Sequence, residues 1–246
     1  MGVERPDGRS TMVLACDHGG NAVPRALDGL GLLPAELDRH IGIDIGALGL
    51  ARHLSRALDA PLVHQRFSRL VIDCNRGPGV ASSRPEIADG TPIPGNSGLD
   101  QADVDKRVTE IFIPYQRAVG ELLDSRKTAG LDPVLVAVHS FTPRLRDAET
   151  DRPWHIGVLF NRDPRLGQAL IDLLRGEGDL VVGENQPYAV DDVNDYTIPV
   201  HGEQRGIPHV EIEIRQDLIA NDANQRAWGS RLGRLLPQAL EAMDLG

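Results

Sequence analysis

The chain contains 246 residues, of which 41% are hydrophobic and 25% are charged, and its formal net charge is −10 at pH 7. A chain of this size and composition can bury a sizeable core as one large domain, and its acidity argues against a nucleic-acid partner, which would need a basic face. No apolar run reaches the roughly 18 residues of a membrane span, and the polar start of the chain lacks a signal-like apolar region, so we expect a cytoplasmic protein without membrane contact.

Two short apolar runs each end in a histidine. Residues 12–18 read MVLACDH and residues 134–139 read VLVAVH. Continuous apolar runs of this length predict strands that are buried on both faces, as in a parallel sheet. Because ligands bind beyond the carboxyl ends of such strands, His18 and His139 predict a metal or acid–base site, and hence an enzyme.

Helical and strand-like segments alternate around these two runs. The region 77–98, rich in Pro, Gly and Ser, predicts a long loop, and Pro114 predicts a kink or break in the helix that contains it. Strands that alternate with helices predict an α/β sandwich around a mainly parallel sheet. The predicted helices cover residues 42–58, 101–129, 164–175 and 221–243, and the further predicted strands cover residues 61–64, 69–74, 154–160, 179–182 and 208–215.

The two histidines differ in their surroundings. His18 lies in the motif DHGGN at residues 17–21, where glycine lets the backbone turn and leaves the imidazole accessible as a zinc ligand. A capping or hydrogen-bonding histidine is the alternative. His139 precedes Ser140, but adjacent strand residues point apart and a G-x-S-x-G motif is absent, which argues against a serine hydrolase.

The segment SRLVIDCNRG, residues 68–77, predicts a carboxylate-binding site. A guanidinium binds a carboxylate bidentately and an asparagine adds a directed hydrogen bond, so Asn75 and Arg76 suit an anionic substrate. Arg69 joins them only if the chain bends near Cys74, because residues an odd number apart on a regular strand face opposite ways. Surface arginines that pair with local acids are the alternative.

Carboxylates and a further histidine come late in the chain. Glu211, Glu213 and Arg215 share one face of the strand predicted over 208–215, which is also the pattern of an exposed strand face. A carboxylate beside a metal serves as general base, and we prefer Glu213 to Glu211 because it lies nearer the carboxyl end of the strand. His201, in the polar loop before this strand, is a candidate substrate contact.

Five motifs follow one another along the chain. They are His-Gly-Gly-Asn, Gly-Ile-Asp44-Ile-Gly-Ala, Ser-Arg-x-x-x-Asp-x-Asn-Arg, His-Ser-Phe and Glu-x-Arg. In this the chain resembles the N-formylglutamate amidohydrolase family, in particular its mostly uncharacterised branch, from about Val13 to Leu218. The resemblance implies one domain over residues 1–246 with a phosphorylase/hydrolase-like fold, a three-layer α/β/α sandwich with a mixed, mainly parallel sheet. It also implies a distant similarity to zinc carboxypeptidases and to the aspartoacylase and succinylglutamate desuccinylase group.

The resemblance further implies a reaction and a metal. The reaction is hydrolysis of a small anionic N-acyl amino acid, such as N-formylglutamate, assisted by zinc or another divalent metal. His18 and His139 match the metal-binding histidines of the wider group. Asn21 stands where that group has a glutamate ligand, so Asp44 is the expected third ligand, with Asp17 and Asn21 as alternatives.

The remaining site residues follow from the same comparison. Arg69, Asn75 and Arg76 match positions that bind substrate carboxylates, and Glu213 is the expected base that also protonates the leaving amine. Two other functions stay open. One is a zinc carboxypeptidase-like enzyme that acts on short peptides, and the other is a metal-free protein that binds an acidic metabolite. The sequence makes no prediction of the oligomeric state.

Overall fold

A mixed sheet of seven strands forms the centre of the structure, a computed structural model that describes residues 1–243. Two further strands, β4 and β5 below, pair as a small hairpin of their own within the long loop. The strands are β1 (Gly2–Glu4), β2 (Met12–Cys16), β3 (Leu62–His64), β4 (Ile87–Ala88), β5 (Thr91–Pro92), β6 (Val134–Phe141), β7 (Ile156–Leu159), β8 (Val182–Glu184) and β9 (His209–Arg215).

The strand order across the main sheet is β1-β3-β2-β6-β9-β7-β8. The four central strands β3, β2, β6 and β9 run parallel, so their carboxyl ends meet at one edge of the sheet. β1 is antiparallel to β3, and β7 is antiparallel to β9 while β8 is parallel to β7. The prediction of a mixed, mainly parallel sheet is confirmed.

Helices cover both faces of this sheet, which confirms the three-layer α/β/α sandwich. On one face, α2, α5 and α6 pack with side chains such as Leu54, Leu170 and Leu232. On the other face, α4 packs with Tyr115 and Val119. The helices are α1 (Pro34–Leu37), α2 (Ala47–Leu58), α3 (Gln101–Arg107), α4 (Ile113–Thr128), α5 (Arg165–Gly176) and α6 (Asp222–Met243).

Strand alternation decides which face carries the polar residues of β9. Ile212 and Ile214 lie in the core formed with α2, α5 and α6. Because successive strand residues point to opposite faces, Glu211 and Glu213 point to the face covered by α4. Both carboxylates are buried, so this is not the exposed strand face that the sequence pattern left open.

The strand predicted over residues 69–74 is wrong. These residues form turns, and their apolar side chains are buried without pairing to the sheet. The reason is that side chains from elsewhere satisfy the backbone, which removes the need for a strand neighbour. The carbonyl groups of Leu70, Val71 and Cys74 accept hydrogen bonds at 2.9, 2.9 and 2.6 Å from the side chains of Asn96, Arg107 and Gln116.

Other differences concern the ends of elements. The helix predicted over 101–129 is divided into α3 and α4 by a π-helical turn, Val108–Phe112, which ends two residues before Pro114. The helix predicted from residue 42 begins at Ala47, and the strand predicted over 179–182 begins at Val182. The short polar edge strand β1 was not predicted. Among residues 1–243, no helix combines the length and the apolar character needed to cross a bilayer.

Candidate active site

The carboxyl ends of β2, β6 and β9 bring the predicted site residues together. Cys16 ends β2 and is followed by Asp17 and His18, while His139 lies in β6. Asp44 comes from the loop before α2, where its amide donates a hydrogen bond to the carbonyl of His18 at 3.0 Å. Sheet topology therefore places two histidines and two carboxylates from distant parts of the chain in one buried cluster.

His18, His139 and Asp44 each direct one ligand atom to a common point. Nδ1 of His18 and Nδ1 of His139 lie 3.2 Å apart, and Oδ2 of Asp44 lies 3.2 Å from the first and 2.9 Å from the second. Ligands of tetrahedral zinc, at bond lengths of about 2.0–2.1 Å, are separated by about 3.3 Å. The three atoms therefore lie close enough together to hold one metal ion.

Each of these histidines is held by a carboxylate on its other nitrogen. Nε2 of His18 donates to Oδ1 of Asp73 at 2.7 Å, and Nε2 of His139 donates to Oδ2 of Asp17 at 3.0 Å. A carboxylate can only accept, so Nε2 carries a proton in both contacts. The two Nδ1 atoms face Oδ2 of Asp44, and with a metal ion bound they would offer it their lone pairs. This is the arrangement that orients histidine ligands in zinc enzymes.

Three buried carboxylates, those of Asp17, Asp44 and Asp73, make the cluster negative. Burial by itself raises the pKa of a carboxyl group, but the adjacent histidines and, at Asp73, the charge of Arg69 outweigh it and hold all three pKa values below their usual range. The same carboxylates raise the pKa values of His18 and His139 despite their burial, so protons on the imidazoles balance the negative charge in this state. A divalent cation could take the place of these protons.

Asp44 completes the ligand triangle, whereas the two alternatives lie elsewhere. Asp17 is bound to the far nitrogen of His139. Asn21 is partly exposed, and its Nδ2 donates to Asp38 at 2.6 Å. Within residues 1–243, His18, Asp44 and His139 are the set of side chains whose ligand atoms converge closely enough for one metal ion.

A cavity of about 130 Å³ opens beside the cluster, and Glu211 and Glu213 are part of its lining. Their side chains are buried, and Oε2 of each has no hydrogen-bond partner among the described residues. Burial raises the pKa of Glu211 to about 7 and that of Glu213 well above its ordinary value, and neighbouring carboxylates add to both shifts. A carboxyl group with the pKa of Glu211 can exchange protons near neutral pH.

Arg69 and Arg76 both line the cavity, because the segment between them turns instead of running as a strand. Nε and Nη2 of Arg69 donate to Oδ2 of Asp73 at 3.0 and 2.7 Å, so Arg69 holds the carboxylate that holds His18. Arg76 donates through Nη1 to the carbonyl of Asn194. Its Nε and Nη2 have no partner in the part of the chain that the structure describes, and remain available to a ligand.

Asn75 lines the same cavity, but the protein itself occupies its side chain. Oδ1 accepts hydrogen bonds from the amides of Tyr196 and Thr197 at 3.2 and 2.9 Å. Nδ2 lies 3.5 Å from Oδ1 of Asp195, which also lines the cavity. Asn75 therefore fixes the loop that ends at Thr197 against the cavity wall.

The structure does not bring His201 to the cavity. His201 lies in the π-helical turn Thr197–Glu203, where its Nε2 and the side-chain oxygen of Gln116 are 2.9 Å apart. Burial, together with the charge of Arg205, lowers the pKa of His201 to about 4. It is therefore a neutral, internally bonded histidine.

Sequence reasoning missed the residues that orient the site. Asp73 belongs to the Ser-Arg-x-x-x-Asp-x-Asn-Arg motif. Its position in the same motif as Asn75 and Arg76 was the signal that could have placed it at the site. Asp17 was considered only as a metal ligand, although its position next to His18 made an orienting role equally open. Thr197 lies in a polar loop without any motif, so no local pattern pointed to its contact with Asp17.

A buried histidine–carboxylate centre beside a small cavity, at the carboxyl edge of the parallel strands of an α/β sandwich, defines the class of α/β enzymes that act on small molecules. The family model of N-formylglutamate amidohydrolase matches residues 10–220, and the chain belongs to that amidohydrolase family. No curated protein matches the chain.

Two solved structures show the same fold. A gene product of Agrobacterium tumefaciens is 38% identical, with a TM-score of 0.93 over 99% of this chain and 95% of that one. An N-formylglutamate amidohydrolase from Ralstonia eutropha is 20% identical, with a TM-score of 0.66 over 96% of this chain and 98% of that one. The second likeness, at this identity, shows the fold.

Proposed function

We propose that this protein is a metal-dependent amidohydrolase that cleaves the amide bond of a small N-acyl amino acid, with N-formylglutamate as the first substrate to test. The observation that carries the proposal is the triangle of Nδ1 of His18, Nδ1 of His139 and Oδ2 of Asp44, with each histidine held by a carboxylate on its far nitrogen. Family membership supports amide hydrolysis. A cavity of about 130 Å³ suits a small molecule better than a peptide.

His18, His139 and Asp44 are the residues that would hold the metal. Two imidazoles and one carboxylate are a donor set typical of catalytic zinc. When bound, zinc supplies Lewis-acid chemistry that stabilises negative charge on the acyl oxygen. Asp73 and Asp17 keep the two imidazoles in the tautomer that this role requires.

Glu213 is the proposed general base. It is buried, lines the cavity, and occupies the strand position paired with His139. Its carboxylate takes a proton from the attacking water and passes that proton to the departing amine nitrogen. Burial, the first cause, raises the pKa of Glu213 well above its ordinary value, which makes its carboxylate a stronger base than an exposed one.

Arg76 is the proposed anchor for the substrate carboxylate. It lines the cavity, and only its Nη1 is engaged by the protein, at the carbonyl of Asn194 and near Asp195. Arg69 adds positive charge at the same wall, but its bidentate bond to Asp73 commits it to the metal centre. The site therefore offers one available guanidinium for a carboxylate.

The experiment is a metal analysis combined with a substrate panel. The protein is purified without chelator, its metal content is measured, and N-formyl, N-acetyl and N-succinyl amino acids and short peptides are assayed before and after chelation. We expect one metal ion per chain and hydrolysis of N-acyl amino acids that chelation abolishes and zinc restores. Hydrolysis of peptides alone would contradict the substrate class, and binding of acidic metabolites without metal or hydrolysis would contradict the enzyme.

A further inference from the structure

One buried hydroxyl ties the loop before β9 to the candidate metal centre. Thr197 begins the π-helical turn Thr197–Glu203, and its side chain is wholly buried. Its Oγ1 donates to Oδ1 of Asp17 at 2.8 Å, while the other oxygen of that carboxylate accepts from Nε2 of His139 at 3.0 Å. Thr197 therefore contacts the group that orients a candidate metal ligand.

The backbone of Thr197 is fixed as well. Its amide donates to Oδ1 of Asn75 at 2.9 Å, and the amide of Asn75 in turn donates to Oδ1 of Asp73 at 2.9 Å. Because Asp73 holds His18, both histidines of the centre are connected through this chain of bonds. The hydroxyl of Thr197 is thus presented to Asp17 from a rigid support.

The two bonds to Asp17 set its orientation. A carboxylate that accepts one donor on each oxygen cannot turn about its side-chain torsion without losing a bond in a buried environment, and such a loss is costly. Without the hydroxyl, Oδ1 of Asp17 loses this donor and the carboxylate is freer to turn. The imidazole of His139 then loses the constraint that keeps Nδ1 directed at the metal position.

We infer that Thr197 is a positioning residue of the metal centre, which fixes Asp17 and through it the imidazole of His139. This inference rests on the proposed metal-dependent function. It requires a hydroxyl and not merely a filled volume. Partners of metal ligands change metal affinity by roughly ten- to a hundredfold when they are mutated, and Thr197 is one contact further out, so we expect an effect of about tenfold.

The test compares the zinc dissociation constants of the wild type, Thr197→Val and Thr197→Ser, measured by competition with a chelating dye. Thr197→Val keeps the shape but lacks the hydroxyl, and we expect it to bind zinc about tenfold more weakly. Thr197→Ser restores the donor and is expected to stay within about twofold of the wild type. Ser55→Ala is the matched control. It also removes a buried hydroxyl, which donates to the carbonyl of Ala60 at 2.6 Å, but neither residue lines the cavity.

A second readout needs no metal. In the metal-free protein, NMR can follow how fast the Nε2 proton of His139 exchanges with solvent, and we expect about tenfold faster exchange in Thr197→Val than in Thr197→Ser. Equal zinc affinities and equal exchange rates in the two variants would overturn the inference. A wild type that binds no zinc contradicts the proposed function instead, and the exchange rates then decide the role of Thr197. If Thr197→Val does not fold, Thr197→Ala gives the same comparison.

Discussion

His139 and Glu213 occupy paired positions on the adjacent parallel strands β6 and β9. Main-chain hydrogen bonds of the sheet therefore hold a candidate metal ligand and the proposed base side by side, without reliance on a loop. Glu211 pairs with Ala137, two positions earlier, and its Oε2 lies 4.0 Å from Nε2 of His139, the nitrogen that faces away from the metal position. The two glutamates are thus placed differently relative to the imidazole.

This difference predicts unequal effects of two matched substitutions. We expect Glu213→Gln to lower kcat by about 10² to 10⁴, because a positioned acid–base group contributes a factor of this size. Glu211→Gln should lower kcat by less than about tenfold. Both variants should keep the metal content of the wild type, measured on the same samples as the rates. A larger loss in Glu211→Gln would transfer the role of base to Glu211.

Replacement of a metal ligand should remove the metal itself. We expect His139→Ala to lose stoichiometric zinc and activity, since two ligand atoms no longer hold a catalytic zinc ion tightly. His53→Ala serves as control. His53 lies on α2, its Nε2 is 2.9 Å from Oδ1 of Asp222, and neither residue lines the cavity. Metal content by elemental analysis is the measurement. Full zinc occupancy in His139→Ala would disprove the ligand assignment.

The proposed anchor for the substrate carboxylate predicts a substrate-dependent effect. Arg76→Ala should lower kcat/KM for an N-formyl amino acid by roughly a hundredfold, equivalent to about 2.7 kcal/mol, because a carboxylate in the cavity loses its charged partner. An N-formyl alkylamine has no carboxylate, so its slow hydrolysis should change little. Equal losses on both substrates would show that Arg76 does not bind the carboxylate.

Arg107 predicts a stability effect that is independent of the site. Its guanidinium donates to the carbonyls of Val71 and Gly95 at 2.9 and 2.8 Å and to Oδ1 of Asn96 at 2.7 Å, all in a buried environment. Arg107→Leu leaves these acceptors without a donor and should lower the free energy of unfolding by about 3 kcal/mol. Urea unfolding of this variant is compared with that of Arg117→Leu, an exposed arginine on α4, for which we expect a change within about 0.5 kcal/mol.

His201 predicts a specific pH dependence of stability. Burial, with the charge of Arg205, lowers its pKa to about 4 in the folded protein, whereas the unfolded chain has a pKa of about 6.5. Between these values the unfolded chain binds more protons, so stability is lost as the pH falls from about 6.5 towards 4. The full effect is on the order of 3 kcal/mol.

The variant His201→Gln isolates this contribution, because glutamine does not titrate. As the pH falls from about 7 to about 4.5, the wild type should lose more unfolding free energy than His201→Gln does. Parallel stability profiles for the two proteins would show that His201 is not the acid-sensitive group.

The sheet was largely predictable because β2 and β6 are mainly apolar and β9 alternates strictly between apolar and polar residues. β2 and β6 are buried on both faces, which favours continuous apolar runs, whereas β9 is recognisable as a strand by its period of two. The edge strand β1 carries no such run, and the turns at residues 69–74 imitate one. In that segment Asn96, Arg107 and Gln116 replace a neighbouring strand as hydrogen-bond partners, and no local pattern of residues 69–74 reports on side chains that arrive from elsewhere.

Within the site, residue types were easier to predict than their contacts. His18, His139 and Asp44 do converge, because strand ends and the loop before α2 share one edge of the sheet. The orienting bonds of Asp17 and Asp73 depend on which imidazole nitrogen faces inward, which sequence spacing does not determine. His201 lies in the π-helical turn Thr197–Glu203 and is not part of the cavity lining, and no local pattern in the sequence reports on its contact with Gln116.

The place of β9 in the strand order has a consequence for the order of assembly. β9 is the last strand in the sequence, yet it enters the sheet between β6 and β7. Until His209–Arg215 is inserted, the sheet consists of two separate pieces, each with an unpaired edge of the kind that promotes aggregation. A chain in which β9 has not yet joined the sheet therefore lacks both a continuous sheet and a positioned Glu213. Protection from misassembly and the capacity for acid–base chemistry are acquired in the same folding step.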